Sequence, residues 1–190
     1  MLTNIDNSEV LVLLSGGIDS TACINFYIEF ERPPCGVFVD YGQPAALNEI
    51  RAARAVAKYY SIPLVCVKWK GWAQKAAGLI PGRNGFLISA ALMERPSSVS
   101  IISIGIHGGT AYVDCSQIFL SEMQHIVDLY EKGKVQLAAP FINFSKEEIY
   151  SYCLSKKVPV ALTYSCEVGG VTPCGVCLSC KDREVLNACA

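Results

Sequence analysis

An excess of positive charge is missing from this chain: across 190 residues, 16 lysines and arginines face 17 aspartates and glutamates. With no basic field to hold a polyanion, nucleic acid is not expected as a direct partner. Long apolar runs are missing too. Apolar residues make up 52% of the sequence, yet they fall in runs of about five where a bilayer span needs ~20, so no membrane partner is expected. No basic stretch followed by an apolar one opens the sequence, which points to a cytoplasmic setting. Histidine is scarce. Of the two present, His107 lies on a glycine-rich loop within reach of a ligand and His125 in a helical segment, and neither has a partner at metal-ligand spacing. Gly-Lys-Ser/Thr is absent from the sequence's glycine turns, which excludes the ATPase P-loop, and the Gly-x-Gly-x-x-Gly spacing of a dinucleotide turn is absent as well. No internal repeat or low-complexity linker interrupts the chain.

What is present begins with Leu11-Val-Leu-Leu-Ser-Gly-Gly-Ile-Asp-Ser20, an apolar run stopped at a glycine turn beside two serines and an acid. Such a run reads as a buried strand that delivers the chain to a phosphate cradle, since glycine lets main-chain N–H groups approach an anion with no Cβ in the way. Thr21 to Glu31 reads as the following helix, with Ala22, Phe26 and Phe30 on one face and Asp19 or Ser20 as its cap. An ordinary strand–turn–helix corner is the alternative.

Further strands are expected at Cys35–Val39, Leu64–Val67 and Ser100–Ile104, after a first at Val10–Leu14. Helices are expected at Ala45–Tyr60, Gly85–Glu94, Ser116–Glu131 and Lys146–Lys156. Apolar strands alternating with helices predict an α/β fold with a doubly wound parallel sheet, covered on both faces. Ligands gather at the carboxyl ends of such strands, which places Ser15, Asp40 and Gly105 on one crevice. Residues 1–159 are expected to form this α/β domain. Residues 160–190, following the only compositional break, are expected to form a zinc-binding C-terminal segment packed on it.

Ten cysteines in a chain without a secretion signal need a reason, because cytosolic thiols stay reduced. Cys23, Cys35, Cys66, Cys115 and Cys153 are scattered, several in apolar segments where a thiol acts as a small hydrophobe. Cys166, Cys174, Cys177 and Cys180 are different: they follow the spacing Cys-x7-Cys-x2-Cys-x2-Cys inside a segment bent by Gly169, Gly170 and Pro173. Four thiolates on two tight turns match a closed, structural Zn2+ site, with a disulfide pair as the alternative. Cys189 is a spare thiol that could replace one ligand.

Three loops fall on the expected crevice: Asp40-Tyr-Gly-Gln43, Pro81-Gly-Arg-Asn84 with Asn84 as a helix cap, and Gly105 through Tyr112-Val-Asp-Cys115. Ser15-Gly-Gly-Ile-Asp-Ser20 resembles the pyrophosphate loop of the ATP pyrophosphatases. With the three loops, Ser145-Lys-Glu-Glu-Ile149, and Tyr164-Ser-Cys166 before Cys174-Gly-Val-Cys-Leu-Ser-Cys180, it occurs in the order seen in the 7-cyano-7-deazaguanine synthase family, over nearly the whole chain.

That resemblance implies a sheet of the adenine-nucleotide α-hydrolase-like type carrying a C-terminal zinc knuckle, and a homodimer. It implies an ATP-dependent carbon–nitrogen ligase of the queuosine pathway: a 7-deazaguanine carboxylate is adenylylated, ammonia displaces AMP, and a second ATP drives dehydration of the amide to the nitrile. Leu14, Ser15, Gly16, Gly17, Ile18, Asp19, Ser20 and Thr21 would hold ATP, with Asp19 positioning Mg2+. Arg83 and Lys146 would neutralise charge as pyrophosphate leaves. Tyr41, Gln43, Tyr112 and Asp114 lie where the acid docks.

The departures from the family fall on the acceptor side. The loop from Gly105 to Cys115 continues into Ser116-Gln117 without the family's basic residue, Pro44-Ala45-Ala46 replaces a basic and polar stretch, and the connection to Pro81 is short. A divergent member is implied, whose acid could be another carboxylate, such as the end of a partner protein. The remaining alternatives are a tRNA-thiolating or amide-forming ATP pyrophosphatase and a non-catalytic nucleotide-binding zinc module.

Overall fold

Val10–Leu13 alternates its side chains between two cores, and this alternation sets the architecture. In the computed structural model, which describes residues 8–71, 78–110 and 112–186, Val10, Val12 and Leu14 join one buried cluster while Leu11 and Leu13 join the other. A strand buried on both faces in this way must be central. Val10–Leu13 is β1, with β2 (Pro34–Asp40) on one side and β4 (Ile101–Ile104) on the other. β3 (Leu64–Lys68) pairs with β2, and β5 (Gln136–Ala138) pairs with β4, every pairing being parallel. The order is β3-β2-β1-β4-β5. The chain therefore leaves β1 toward one edge and later returns to fill the other, so the reversal point lies between β1 and β4.

Among the described residues there are six helices: α1 (Ile18–Glu29), α2 (Ala46–Tyr59), α3 (Arg83–Glu94), α4 (Gln117–Glu131), α5 (Lys146–Ser155) and α6 (Leu178–Val185). Helices α1, α2 and α5 contribute Ala22, Val56 and Ile149 to the first cluster. Helices α3 and α4 contribute Ile88, Met123 and Val127 to the second. This is the doubly wound α/β arrangement expected. Among the described residues no helix is long and apolar enough to cross a membrane.

Several expectations are corrected. Helix α1 begins at Ile18, three residues before Thr21, with Gly17 as N-cap and no side-chain cap, so neither Asp19 nor Ser20 caps it. The hydroxyls of Ser20 and Thr21 instead donate back to the Gly17 carbonyl at 3.0 and 2.8 Å, holding the first turn in helical form. Phe30 is 62% exposed beyond the helix end, its ring 4.7 Å from that of Phe26. Helix α3 begins at Arg83 after Gly82, and Asn84 lies buried in its first turn rather than at the cap. Strand β5 was not foreseen because three residues with Gln136 exposed carry no apolar run. Helix α6 is short, polar and contains Cys180, and its sequence carries no apolar period.

Two glycines set the close packing around the crevice. Gly16 turns with φ +83°, and a Cβ there would stand 2.6 Å from the Glu49 carbonyl oxygen and 2.7 Å from the Ala53 nitrogen. Gly105, just past β4, approaches the first turn of α1, where a Cβ would stand 2.8 Å from the Ser20 nitrogen. Gly16→Ala combines a left-handed backbone with a backbone clash, and is expected to lose about 2–4 kcal/mol. An unchanged urea midpoint would contradict this packing.

Candidate active site

Above the carboxyl ends of β1 and β4 the structure opens into a cavity of about 550 Å³. Its floor is the β1–α1 turn. Gly17 N–H donates to Ser15 Oγ at 3.3 Å, Ser15 and Ser20 share a hydroxyl contact at 3.1 Å, and the α1 N-terminus carries no side-chain cap. Ser15, Gly17, Ile18 and Asp19 line the cavity. Leu14 also borders it but is buried in the core, and Ser20 and Thr21 are buried with their hydroxyls on the Gly17 carbonyl. Gly16 lies behind, packed on α2. What this turn offers an anion is therefore mainly backbone, at the positive end of a helix.

Lys146 stands across the cavity. Its Nζ donates to both oxygens of Asp19 at 2.6 Å, with side-chain exposures of 21% and 23%. A capping box fixes its position at the first residue of α5: Ser145 Oγ accepts from Glu148 N–H at 3.2 Å, and Glu148 accepts from Ser145 N–H at 2.7 Å. Lys146 is thus not a solvated surface charge. Beside the pair, buried His107 accepts Gly109 N–H at Nδ1 at 3.2 Å, an arrangement that assigns its proton to Nε2. Burial pushes the imidazole pKa below its ordinary value and Lys146 adds to this, while Asp19 opposes.

The opposite wall comes from the loop after β2 and the start of α3. Tyr41, Gln43, Arg83 and Tyr112 line the cavity. Burial raises the Tyr41 hydroxyl pKa, and the neighbouring Arg83 guanidinium, its hydrogen-bond partner, pulls the other way. Gln43 Oε1 accepts from Tyr41 N–H at 2.9 Å, while its Nε2 donates to Glu49 at 2.7 Å and toward the Val39 carbonyl at 3.4 Å. Two expected residues sit elsewhere. The carboxylate of Asp114 accepts from Asn84 N–H at 3.4 Å at the foot of α3, and Asp40 is engaged by Gly42 N–H at 3.0 Å and Lys68 at 3.4 Å; neither borders the cavity.

The four clustered cysteines bring their sulfurs within 4.8 Å of one another. The 3.9 Å between Cys174 Sγ and Cys180 Sγ approaches the ~3.8 Å edge of a tetrahedron with ~2.3 Å metal–sulfur bonds. All four are free thiols, so the disulfide alternative is set aside. Burial raises the Cys166 thiol, but the N–H groups of Cys174 and Val168 outweigh it and draw the pKa to about 6. Donor set and spacing can therefore hold a metal such as zinc. The same segment forms part of the cavity wall: Tyr164 N–H donates to the Gly16 carbonyl at 2.9 Å, Asn48 Nδ2 donates to the carbonyls of Gly169 and Gly170 at 3.0 Å each, and Glu167 and Ser179 line the opening. Cys189 lies outside the described residues. Of the scattered thiols, Cys23, Cys35, Cys115 and Cys153 are buried and Cys66 is exposed.

The family model described as queuosine biosynthesis protein QueC matches residues 9–77 and 73–187. The chain belongs to this family. Among its relatives, the 7-cyano-7-deazaguanine synthase of Synechococcus sp. (strain CC9605) is 31% identical, covering 92% of this chain and 90% of that protein. The synthase of Prochlorococcus marinus (strain MIT 9301) is 30% identical, covering 95% of this chain and 94% of that protein. Two solved structures share the fold at low identity. A predicted tRNA methyltransferase subunit from Methanocaldococcus jannaschii superposes with TM-score 0.51 at 13% identity, covering 76% of this chain and 73% of that one. NMN synthetase from Francisella tularensis does so with TM-score 0.50 at 16% identity, covering 86% and 68%.

Sequence reading missed Glu49, Glu167 and Ser179 as cavity residues. No spacing rule marks Glu49, which reaches the cavity only because the first turn of α2 packs on Gly16. Burial raises its carboxyl pKa, while the hydrogen bond from Gln43 and the charge of Arg83 only partly oppose this. A folded pKa above the unfolded one means that the stabilising contribution is present at low pH and is lost as pH rises through the raised value. Glu49→Gln removes that loss. The variant is expected to melt at the same temperature or a few degrees higher at pH 7.5, the difference closing as pH falls toward 4.5, ordinary for a carboxyl. Melts by circular dichroism at both pH values check this, and a lower melting point at pH 7.5 would refute it.

Proposed function

We propose that this chain adenylylates a carboxylate with ATP and carries 7-carboxy-7-deazaguanine and ammonia to the 7-cyano product. The observation that carries the reading is the uncapped first turn of α1 facing the Asp19–Lys146 pair, at the strand-order reversal of a chain in this family. Residues Leu14 through Thr21 would hold the triphosphate mainly through main-chain N–H groups. Bound Mg2+ would supply positive charge to the phosphates, with Asp19 the residue to hold it and Lys146 keeping that carboxylate in place. Arg83 and Lys146 are the fixed cations for charge that develops on the departing pyrophosphate.

In the first half the substrate carboxylate oxygen attacks the α-phosphorus, the α–β bridge breaks and pyrophosphate leaves. Ammonia then adds to the acyl carbon, AMP departs with the C–O electron pair, and a proton is lost to give the amide. A second ATP adenylylates the amide oxygen, with a second pyrophosphate leaving and the first N–H proton lost, and departure of AMP with loss of the second N–H proton leaves the nitrile. Tyr41, Gln43 and Tyr112 border the space for the acid, and Asp114 acts through the start of α3. Zn2+ on Cys166, Cys174, Cys177 and Cys180 would be structural, since four thiolates close its coordination. The reading includes a homodimer in the cytoplasm, and the carboxylate of a partner protein as the acceptor to try next.

The sulfur-transfer alternative is disfavoured by the thiols. Cys115 is the scattered cysteine that borders the cavity, and burial raises its pKa, opposite to what a thiolate carrier needs.

Purified chain mixed with ATP, Mg2+, ammonia and 7-carboxy-7-deazaguanine is expected to release AMP and pyrophosphate and to yield the nitrile by mass spectrometry. Lys146→Met and Asp19→Asn are each expected to slow AMP release ~100-fold or more. No AMP from this acid would remove the reading. Elemental analysis is expected to find one zinc per chain, and chelation to lower helicity by unwinding α6; a zinc-free chain of full helicity would count against the metal assignment.

A further inference from the structure

Four carboxylates border the cavity among the described residues, and three are accounted for. Asp19 is held by Lys146, Glu167 accepts Ser179 Oγ at 2.8 Å, and Asp182 is exposed at the rim. The fourth, Glu49, is only partly exposed, makes no ion pair among the described residues, and accepts a single neutral hydrogen bond, from Gln43 Nε2. Gln43 has little left for a ligand. Its carbonyl oxygen takes Tyr41 N–H and its amide nitrogen is shared between Glu49 and the Val39 carbonyl. Gln43, expected to dock the acid, thus fixes the loop after β2 and orients Glu49.

A carboxylate has about four acceptor positions and, away from water, needs donors for them. Leaving one beside a cavity with no ion pair and a single donor, the Arg83 charge acting on it without contact, lowers stability, and such a group marks a place where a ligand completes the hydrogen bonding. We propose that Glu49 is the specificity residue that reads the donor edge of the acceptor ring, accepting from the ring N–H and the exocyclic amino group of a 2-amino-4-oxo pyrrolopyrimidine. Those two donors lie side by side and parallel, matching the two oxygens of one carboxylate. The ring is the one carried by the product for which the relatives are named. The carbonyl of Glu49 packs on Gly16, so the residue that reads the ring and the β1–α1 turn that faces the phosphates share one corner. This inference rests on the reading above that the acceptor is a 7-deazaguanine acid.

The test compares 7-deazaguanine with 7-deazahypoxanthine, the same ring without the amino group, by isothermal titration without ATP. Parent chain is expected to bind the amino compound roughly 10- to 100-fold more tightly, the range for hydrogen bonds to a charged group. In Glu49→Gln, which places an amide donor against ligand donors, the preference is expected to fall to about threefold or less. Equal binding of both compounds by the parent, no binding of either, or a preference kept by the variant overturns the assignment. The melts described above confirm that the variant is folded, and the parent comparison needs no variant. AMP release separates the two readings. Lost preference in the variant without AMP from the parent keeps Glu49 and removes the ligase, whereas AMP release with the preference kept does the reverse.

Discussion

At Gly16 three parts of the molecule meet because the glycine brings no side chain of its own, and the cavity depends on that contact. The β1–α1 turn presses on the first turn of α2, and the Gly16 carbonyl receives Tyr164 N–H from the cysteine-bearing segment. A methyl group there would push α2 away, carrying Glu49 with it, and would displace the segment that closes the cavity. Gly105 makes the matching approach from the other side, against Asp19 and Ser20. The corner is thus shaped mainly by main chain, with the Ala52 methyl group beside it, and tolerates little adjustment.

Charge is distributed unevenly around this corner. On one side Lys146 and Asp19 satisfy each other in a bidentate pair whose lysine is set by a capping box. On the other, Glu49 accepts a single hydrogen bond among the described residues, from the neutral Gln43, and its burial works against its own ionisation more than the Arg83 charge favours it. Its place beside an engaged Gln43 separates a carboxylate that borders the cavity from the amide that holds it in position.

Much of this was legible in the sequence, for physical reasons. The central strand announced itself because burial on both faces leaves no room for a polar residue in Val10–Leu13. The cysteine cluster was legible because ligand spacing is a short-range constraint that survives without knowledge of the fold. Helix ends were less so: α1 starts early because Ser20 and Thr21 turn their hydroxyls back to Gly17, a choice that composition does not reveal. Asn84 and Asp114 looked like a cap and a ligand and instead bind one another, since a 3-10 turn over Val113–Cys115 brings them together. Glu49 left no sequence trace because its role comes from which helix packs behind the glycine turn.

The contact of Asn48 with the carbonyls of Gly169 and Gly170 ties the cysteine-bearing segment to α2 through a side chain, and the close approach of Gly169 to the Pro44 carbonyl ties it through main chain as well. Side chains can be exchanged singly, whereas the main-chain corner at Gly16 cannot. Replacing Asn48 alone leaves the approach of Gly169 to Pro44 in place, so the cysteine-bearing wall and the glycine turn stay joined through α2 and shift as one unit.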